Sequence, residues 1–137
     1  KEVMETDNIG ARAEVKIEGH LPKVWFTTTG GVQVFRNIMD NAIKYSDKPK
    51  CEITIQAKEM EDHHQISFTD NGPGIAQEFH EKIFDLFAKV NSNGKVDSEG
   101  IGLATVKKII ESRDGRIWVE SSPGHGASFI FTIKKTV

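Results

Sequence analysis

The apolar positions of this chain change period several times, and each change marks an element. Ala13, Val15 and Ile17 alternate with Glu14, Lys16 and Glu18, the two-residue period of a strand with one buried face. Val24-Trp25-Phe26, after Pro22, reads as a second short strand, so the domain is expected to open as a hairpin or paired strands. From Gln33 to Tyr45 the spacing lengthens: Val34, Phe35, Ile38, Met39, Ala42 and Ile43 recur as on one face of a helix, and Ser46-Asp47-Lys48-Pro49 stops the run. Alternation returns in Cys51 to Lys58 and in Gln65 to Asp70, which predicts an antiparallel hairpin joined by the polar turn Glu59 to His64. Past Asn71-Gly72-Pro73-Gly74 a short amphipathic helix is expected around Glu78 to Phe87, followed by a polar, mobile stretch from Asn91 to Ser98. A second long helix, Leu103 to Ser112, stops near Asp114-Gly115. Two strands, Arg116 to Glu120 and Ser128 to Lys134, close the chain around Pro123-Gly124-His125-Gly126.

Strands, helix, hairpin, helices and hairpin in that order predict an α+β fold, with helices layered on one face of a mixed sheet. A doubly wound dinucleotide fold is excluded, because strand-helix alternation and a Gly-x-Gly-x-x-Gly turn after the first strand are both missing. Composition narrows the picture further. With 137 residues, 37% hydrophobic, 28% charged and a formal net charge of -2, the chain fits one domain (1–137) and has no global attraction to nucleic acid or to an anionic membrane. No apolar run approaches the roughly 20 residues of a membrane span, and the first residues do not resemble a secretory signal. One cysteine, Cys51, fits a reducing compartment and reads as a small buried hydrophobe within its strand rather than a nucleophile.

Three features carry candidate chemistry. Asn37, Asn41 and Lys44 lie on one face of the first long helix. They are either a solvated face or hard oxygen ligands for magnesium beside a phosphate-pairing ammonium. In Asp70-Asn71-Gly72-Pro73-Gly74 a strand runs into a carboxylate and a glycine turn. That arrangement is an ordinary turn, or an acceptor for an exocyclic amine with backbone able to approach a ligand closely. Gly100-Ile101-Gly102-Leu103 places glycines before a helix N-terminus, where exposed N–H groups suit an anion.

Taken in order, these features resemble the catalytic ATP-binding domain of sensor histidine kinases, within the ATPase group that includes gyrase, the Hsp90 chaperones and MutL. Asn37-Ile38-Met39-Asp40-Asn41-Ala42-Ile43-Lys44-Tyr45-Ser46 is similar to the asparagine box, Asp70 to Gly74 to the first glycine box, Ile83-Phe84-Asp85-Leu86-Phe87 to the phenylalanine box, and Gly100-Ile101-Gly102-Leu103-Ala104 to the second glycine box. The resemblance spans roughly Leu21 to Ile133, including the closing Gly115-Arg116-Ile117-Trp118-Val119 and Gly124-His125-Gly126-Ala127-Ser128-Phe129. It implies a two-layer α/β sandwich of Bergerat type, its mostly antiparallel sheet covered on one face by helices, with ATP and Mg2+ as cofactors. By the same resemblance Asn41 is the magnesium ligand, Asn37 its polar neighbour, Lys44 a phosphate contact and Tyr45 a wall near the nucleotide. Asp70 reads the adenine amino group. Gly72, Gly74, Ile75, Gly100, Ile101, Gly102 and Leu103 surround base and phosphates, and Ala88 to Glu99 is the ATP lid, with Lys89 a basic phosphate contact. Ser98 stands where many relatives have a further glycine, which implies a stiffer lid hinge.

Relatives that hydrolyse ATP generally carry a glutamate four residues before the magnesium asparagine, as a base for water; here that residue is Asn37, an amide that takes no proton at neutral pH. Kinase chemistry is therefore expected in preference to direct hydrolysis. Of the five histidines, His20, His63, His64, His80 and His125, none reads as the phosphoacceptor, and His80 before Glu81 reads as a helix-surface residue. The acceptor is expected on a dimerising helical segment preceding Lys1 in a longer, cytoplasmic parent, compatible with membrane anchoring, and a response regulator is expected downstream. No direct nucleic-acid or membrane contact is expected of this domain. The competing expectation is a non-catalytic nucleotide-sensing or interaction module of the same fold.

Overall fold

A computed structural model describes residues 13–44, 46, 48–85, 102–121 and 124–135. Its elements run β1 (Ala13–Glu18), α1 (Lys23–Phe26), α2 (Thr29–Lys44), β2 (Cys51–Glu59), β3 (His63–Asp70), two 3-10 turns (Gln77–Phe79 and Lys82–Phe84), α3 (Gly102–Ser112), β4 (Ile117–Ser121) and β5 (Ala127–Lys134). The strands form one five-stranded sheet in the order β1-β2-β3-β5-β4. β1 pairs parallel with β2, Ala13 opposite Cys51 and Glu18 opposite Gln56, while β2–β3, β3–β5 and β4–β5 are antiparallel. The expected α+β architecture, helices on a mixed and mostly antiparallel sheet, is present.

Alternation decides which face is covered. Ile53 and Ile55 on β2, Ile66 and Phe68 on β3, and Phe129 and Phe131 on β5 are all buried. They meet Val34, Phe35, Ile38 and Met39 of α2, and Val106 and Ile110 of α3, in one core. A chain of aromatic contacts ties the layers: Phe26 to Phe35 at 6.2 Å between ring centroids, Phe35 to Phe68 at 5.7 Å, and Phe68 to Phe131 at 6.1 Å. Each such side chain contributes about 1.5–3 kcal/mol by leaving water. α2 and α3 lie antiparallel: Gly30 approaches Ile109 near one end of the pair, and Asn37 meets Gly102 near the other. Among the described residues no helix is long and apolar enough to cross a membrane.

Three expectations about local structure are corrected. Val24-Trp25-Phe26 is not a strand but part of the helical turn α1, closed by Trp25 N–H donating to the Pro22 carbonyl at 3.0 Å. Trp25 and Phe26 are buried against Phe131 of β5 and Phe35 of α2 rather than by a paired strand, and the neighbour of β1 is β2 instead. α2 begins four residues before Gln33, because Thr28 caps it: Gly31 N–H donates to Thr28 Oγ1 at 3.0 Å, satisfying an orphan donor of the first turn. The amphipathic helix expected around Glu78 to Phe87 is instead two 3-10 turns through Phe84, with Ile83 and Phe84 anchored in the core; Leu86 and Phe87 lie outside the described residues.

Candidate functional site

The amide-bearing face of α2 exists as expected. Asn37 and Asn41 are half-buried at the margin of an otherwise apolar helix, and Lys44 is exposed at its end. Asn37 Nδ2 donates to the Gly102 carbonyl at 3.2 Å, which ties the helix to the first turn of α3. The side chain of Asn41, one turn further along α2, makes no hydrogen bond to another described residue. Gly102 and Leu103 are both half-buried, and a Cβ added at Gly102 would meet no described atom within 4 Å. At Gly31, Gly115 and Gly126, by contrast, an added Cβ would lie against backbone.

Asp70 ends β3 on the helix-covered face, in line with Ile66 and Phe68. Its Oδ1 accepts from Gly72 N–H at 2.9 Å and from Ala127 N–H at 3.2 Å. Two backbone donors on one oxygen fix the plane of the carboxylate. The glycine turn that follows is strapped on both sides. Asn71 Oδ1 accepts from Glu52 N–H at 2.9 Å and its Nδ2 donates to the Lys50 carbonyl at 3.4 Å, extending the β2–β3 ladder by one step. On the other side Gly124 N–H donates to the Pro73 carbonyl at 2.6 Å, and Ile75 N–H donates to Ser121 Oγ at 2.8 Å. Gly74 has φ 82°, a left-handed torsion that an L side chain resists. Gly126, at φ 75°, lets β5 approach so closely that an added Cβ would lie 2.1 Å from the Asp70 carbonyl oxygen.

Cys51 joins the two halves. Its Sγ lies 3.7 Å from the Ala42 carbonyl of α2. Burial pushes its thiol above the ordinary value, and the negative charge of Asp70 pushes it further in the same direction. Cys51 is the buried strand residue that the sequence implied.

Of the sequence-predicted site residues, Asn37, Asn41, Gly102 and Leu103 thus gather at the α2–α3 junction, and Asp70, Gly72, Gly74 and Ile75 gather at the end of β3. Tyr45, Lys89, Gly100 and Ile101, with Ser98 and the lid Ala88 to Glu99, lie outside the described residues. Sequence reasoning missed Asn71, Ser121 and His80. Asn71 sat in plain view inside the turn motif. Ser121 acts through a hydrogen bond to a main-chain group 46 residues away, and His80 through one to the carbonyl five residues before it, and neither partner is marked by a side chain.

Helices on one face of a mixed sheet, an acid held at a strand end and an amide-bearing helix on the covered face define the class, an ATP-binding α/β sandwich. The chain belongs to the histidine kinase-, DNA gyrase B-, and HSP90-like ATPase family, whose model matches residues 28–137. It is 43% identical over 113 residues to cyanobacterial phytochrome A of Nostoc sp., a match covering 82% of this chain and 15% of that protein. The fold superposes on the nucleotide-free catalytic domain of histidine kinase ThkA with a TM-score of 0.73 and 29% identity, over 98% of this chain and 89% of that one. It also superposes on full-length ShkA in complex with AMPPNP, with a TM-score of 0.75 and 25% identity, over 99% of this chain and 28% of that one.

Proposed function

We propose that the chain is the catalytic domain of a protein-histidine kinase, which binds Mg2+-ATP and donates its γ-phosphoryl to a histidine on a dimerisation and phosphotransfer domain outside these residues. The observation that carries the reading is the Asp70 carboxylate, held by Gly72 and Ala127 N–H groups at a strand end, on the face of the sheet that packs against α2. The solved ShkA complex with the ATP analogue AMPPNP and the ThkA catalytic domain support it. So does the small fraction of phytochrome A that the chain spans, since the acceptor histidine then has room elsewhere in a longer protein.

Asp70 would accept from the exocyclic amine of adenine. Asn41 Oδ1 would hold the magnesium, a hard cation that with nucleotides usually takes only one or two protein oxygens and completes its shell with phosphate and water. The donor chemistry fits, and at Gly102, whose carbonyl accepts from Asn37, an added Cβ would meet no described atom within 4 Å. Bound there, the ion would neutralise charge on the transferred phosphoryl group. Lys44, Tyr45, Lys89, Gly100, Ile101 and Leu103 would complete the phosphate and base contacts. Asn37 supports transfer over hydrolysis, since its side chain is a tether to Gly102 and no base for water. A response regulator would receive the phosphoryl group downstream, in the cytoplasm.

Titration with ATP and ADP, with and without magnesium, tests the reading. Asp70→Asn retains an oxygen for the Gly72 and Ala127 N–H groups but offers a donor where the amine needs an acceptor. It is expected to weaken ATP binding by about 1–3 kcal/mol. Asn41→Ala should remove the magnesium dependence. Unchanged ATP affinity in the first variant, or unchanged magnesium sensitivity in the second, would overturn the assignment of that residue. Labelled ATP mixed with the parent's helical histidine segment separates a kinase from a nucleotide-sensing module, which would leave the segment unlabelled.

A further inference from the structure

The main chain of Ile75, just past the glycine turn, is held at both of its polar groups by side chains. Its N–H donates to Ser121 Oγ, from the end of β4, at 2.8 Å. Its carbonyl oxygen lies 2.9 Å from His80 Nε2, behind the first 3-10 turn. Each contact has only one sense. A carbonyl carries no proton, so Nε2 of His80 must present one. Ser121 Oγ spends its single proton on the Gly126 carbonyl at 2.6 Å, and a lone pair remains for the Ile75 N–H. Removal of either side chain leaves a half-buried main-chain group without its partner.

The geometry connects this clamp to Asp70. The turn between β4 and β5 contributes Gly126 to Ser121, Ala127 to the Asp70 carboxylate and Gly124 to Pro73. Entry to the glycine turn at Asp70 and exit from it at Ile75 therefore lean on one short segment. Between them lies Gly74, whose positive φ marks a flexible residue type in a defined conformation. The side chains of Asp70 and Asn71 hold the start of the turn, whereas its exit at Ile75 is held by Ser121 and His80.

We infer that Ser121 and His80 are positioning residues of the nucleotide site: by fixing the main chain of Ile75 they fix the turn that aims Asp70, and so set selectivity for a purine bearing an exocyclic amine. The inference rests on the reading of Asp70 as the acceptor for adenine. His80 thereby takes a role distinct from the helix-surface residue that its sequence context implied.

Calorimetric affinities for ATP and for purine riboside triphosphate, which lacks the 6-amino group, test it on the full chain. Ser121→Ala and His80→Leu are expected to lose roughly five- to tenfold in ATP affinity and much less for the analogue, so that the ratio of the two narrows. Ser121→Thr keeps a hydroxyl and His80→Gln keeps an N–H donor of similar reach, so both should restore the ratio. A general loss of stability would weaken both nucleotides alike. A wild-type ratio in both Ser121→Ala and His80→Leu would overturn the inference, whatever their melting temperatures. Should one of these variants fail to fold, the other reads the same clamp from the opposite side of Ile75. If the wild-type chain binds neither nucleotide, the proposed function fails instead. Amide hydrogen exchange then judges the clamp separately: the Ile75 N–H should exchange faster in Ser121→Ala, and equal protection would dismiss it.

Discussion

Single residues at this site differ in what demands them. An alanine Cβ at Gly31 would lie 2.1 Å from the Trp25 carbonyl, and at Gly126 2.1 Å from that of Asp70, so protein packing alone requires both glycines. At Gly102 it would touch no described atom. Gly102→Ala is therefore expected to keep or raise the stability of the ligand-free chain, by up to about 1 kcal/mol from helix propensity, while ATP affinity falls severalfold. Thermal melts and nucleotide titrations on the same preparation separate the two effects; a destabilised variant with normal affinity would contradict the expectation. Cys51 gives a prediction in pH. Its folded-state value lies above that of the unfolded chain, first because the thiol is buried and then because Asp70 is negative. Its contribution to stability is thus complete below the ordinary thiol value and is lost as pH rises through the raised one. At pH 8 iodoacetamide should label Cys51 slowly in the native chain and quickly in urea, by mass spectrometry; rapid native labelling would show the thiol to be accessible.

Among the elements, α2 carries the amide face of the candidate site, and its start explains a limit of sequence reading. Gly30 and Gly31 have poor helix propensity, so periodicity alone places the helix start at Gln33. Tertiary contact overrides that preference: Thr28 Oγ1 donates to the Trp25 carbonyl at 2.6 Å and accepts from Gly31, and only a glycine lets α1 fold back so closely. Gly31→Ala should cost about 2 kcal/mol or more through overpacking against backbone, read as a lower urea midpoint with little change in slope. A variant as stable as wild type would mean that α1 can move aside freely. The later half of α2 was legible from Val34 onward, because its apolar face and the three polar residues Asn37, Asn41 and Lys44 obey one helical period. The 3-10 turns were not, since Ile83 and Phe84 are buried like residues of an amphipathic helix although the backbone makes no full α-turn.

For the molecule as a whole, the core is continuous from sheet to helices, so stability and site geometry are coupled. Phe131, fully buried, lies 5.8 Å from the ring of Trp25 and 6.1 Å from that of Phe68, which leads along β3 to Asp70. Phe131→Ala is expected to destabilise the chain by about 3–5 kcal/mol, measurable by urea unfolding, and a loss under about 1 kcal/mol would show that the core refills the space. The amino-acid sequence by itself determined the strand and helix periods, the one-sided burial of the sheet and the candidate residues of α2 and the glycine turn. These are local properties, written in side chains a few positions apart. Only the tertiary structure decided that β1 pairs parallel with β2, that β5 lies between β3 and β4, that Val24-Trp25-Phe26 coils rather than extends, and that Ser121 and His80 close on Ile75. The strand pairings and the Ser121 contact join groups distant along the chain, while the α1 turn and the His80 contact close over a few residues. Main-chain donors and acceptors are the same at every residue, so no pattern of side chains announces which of them will meet.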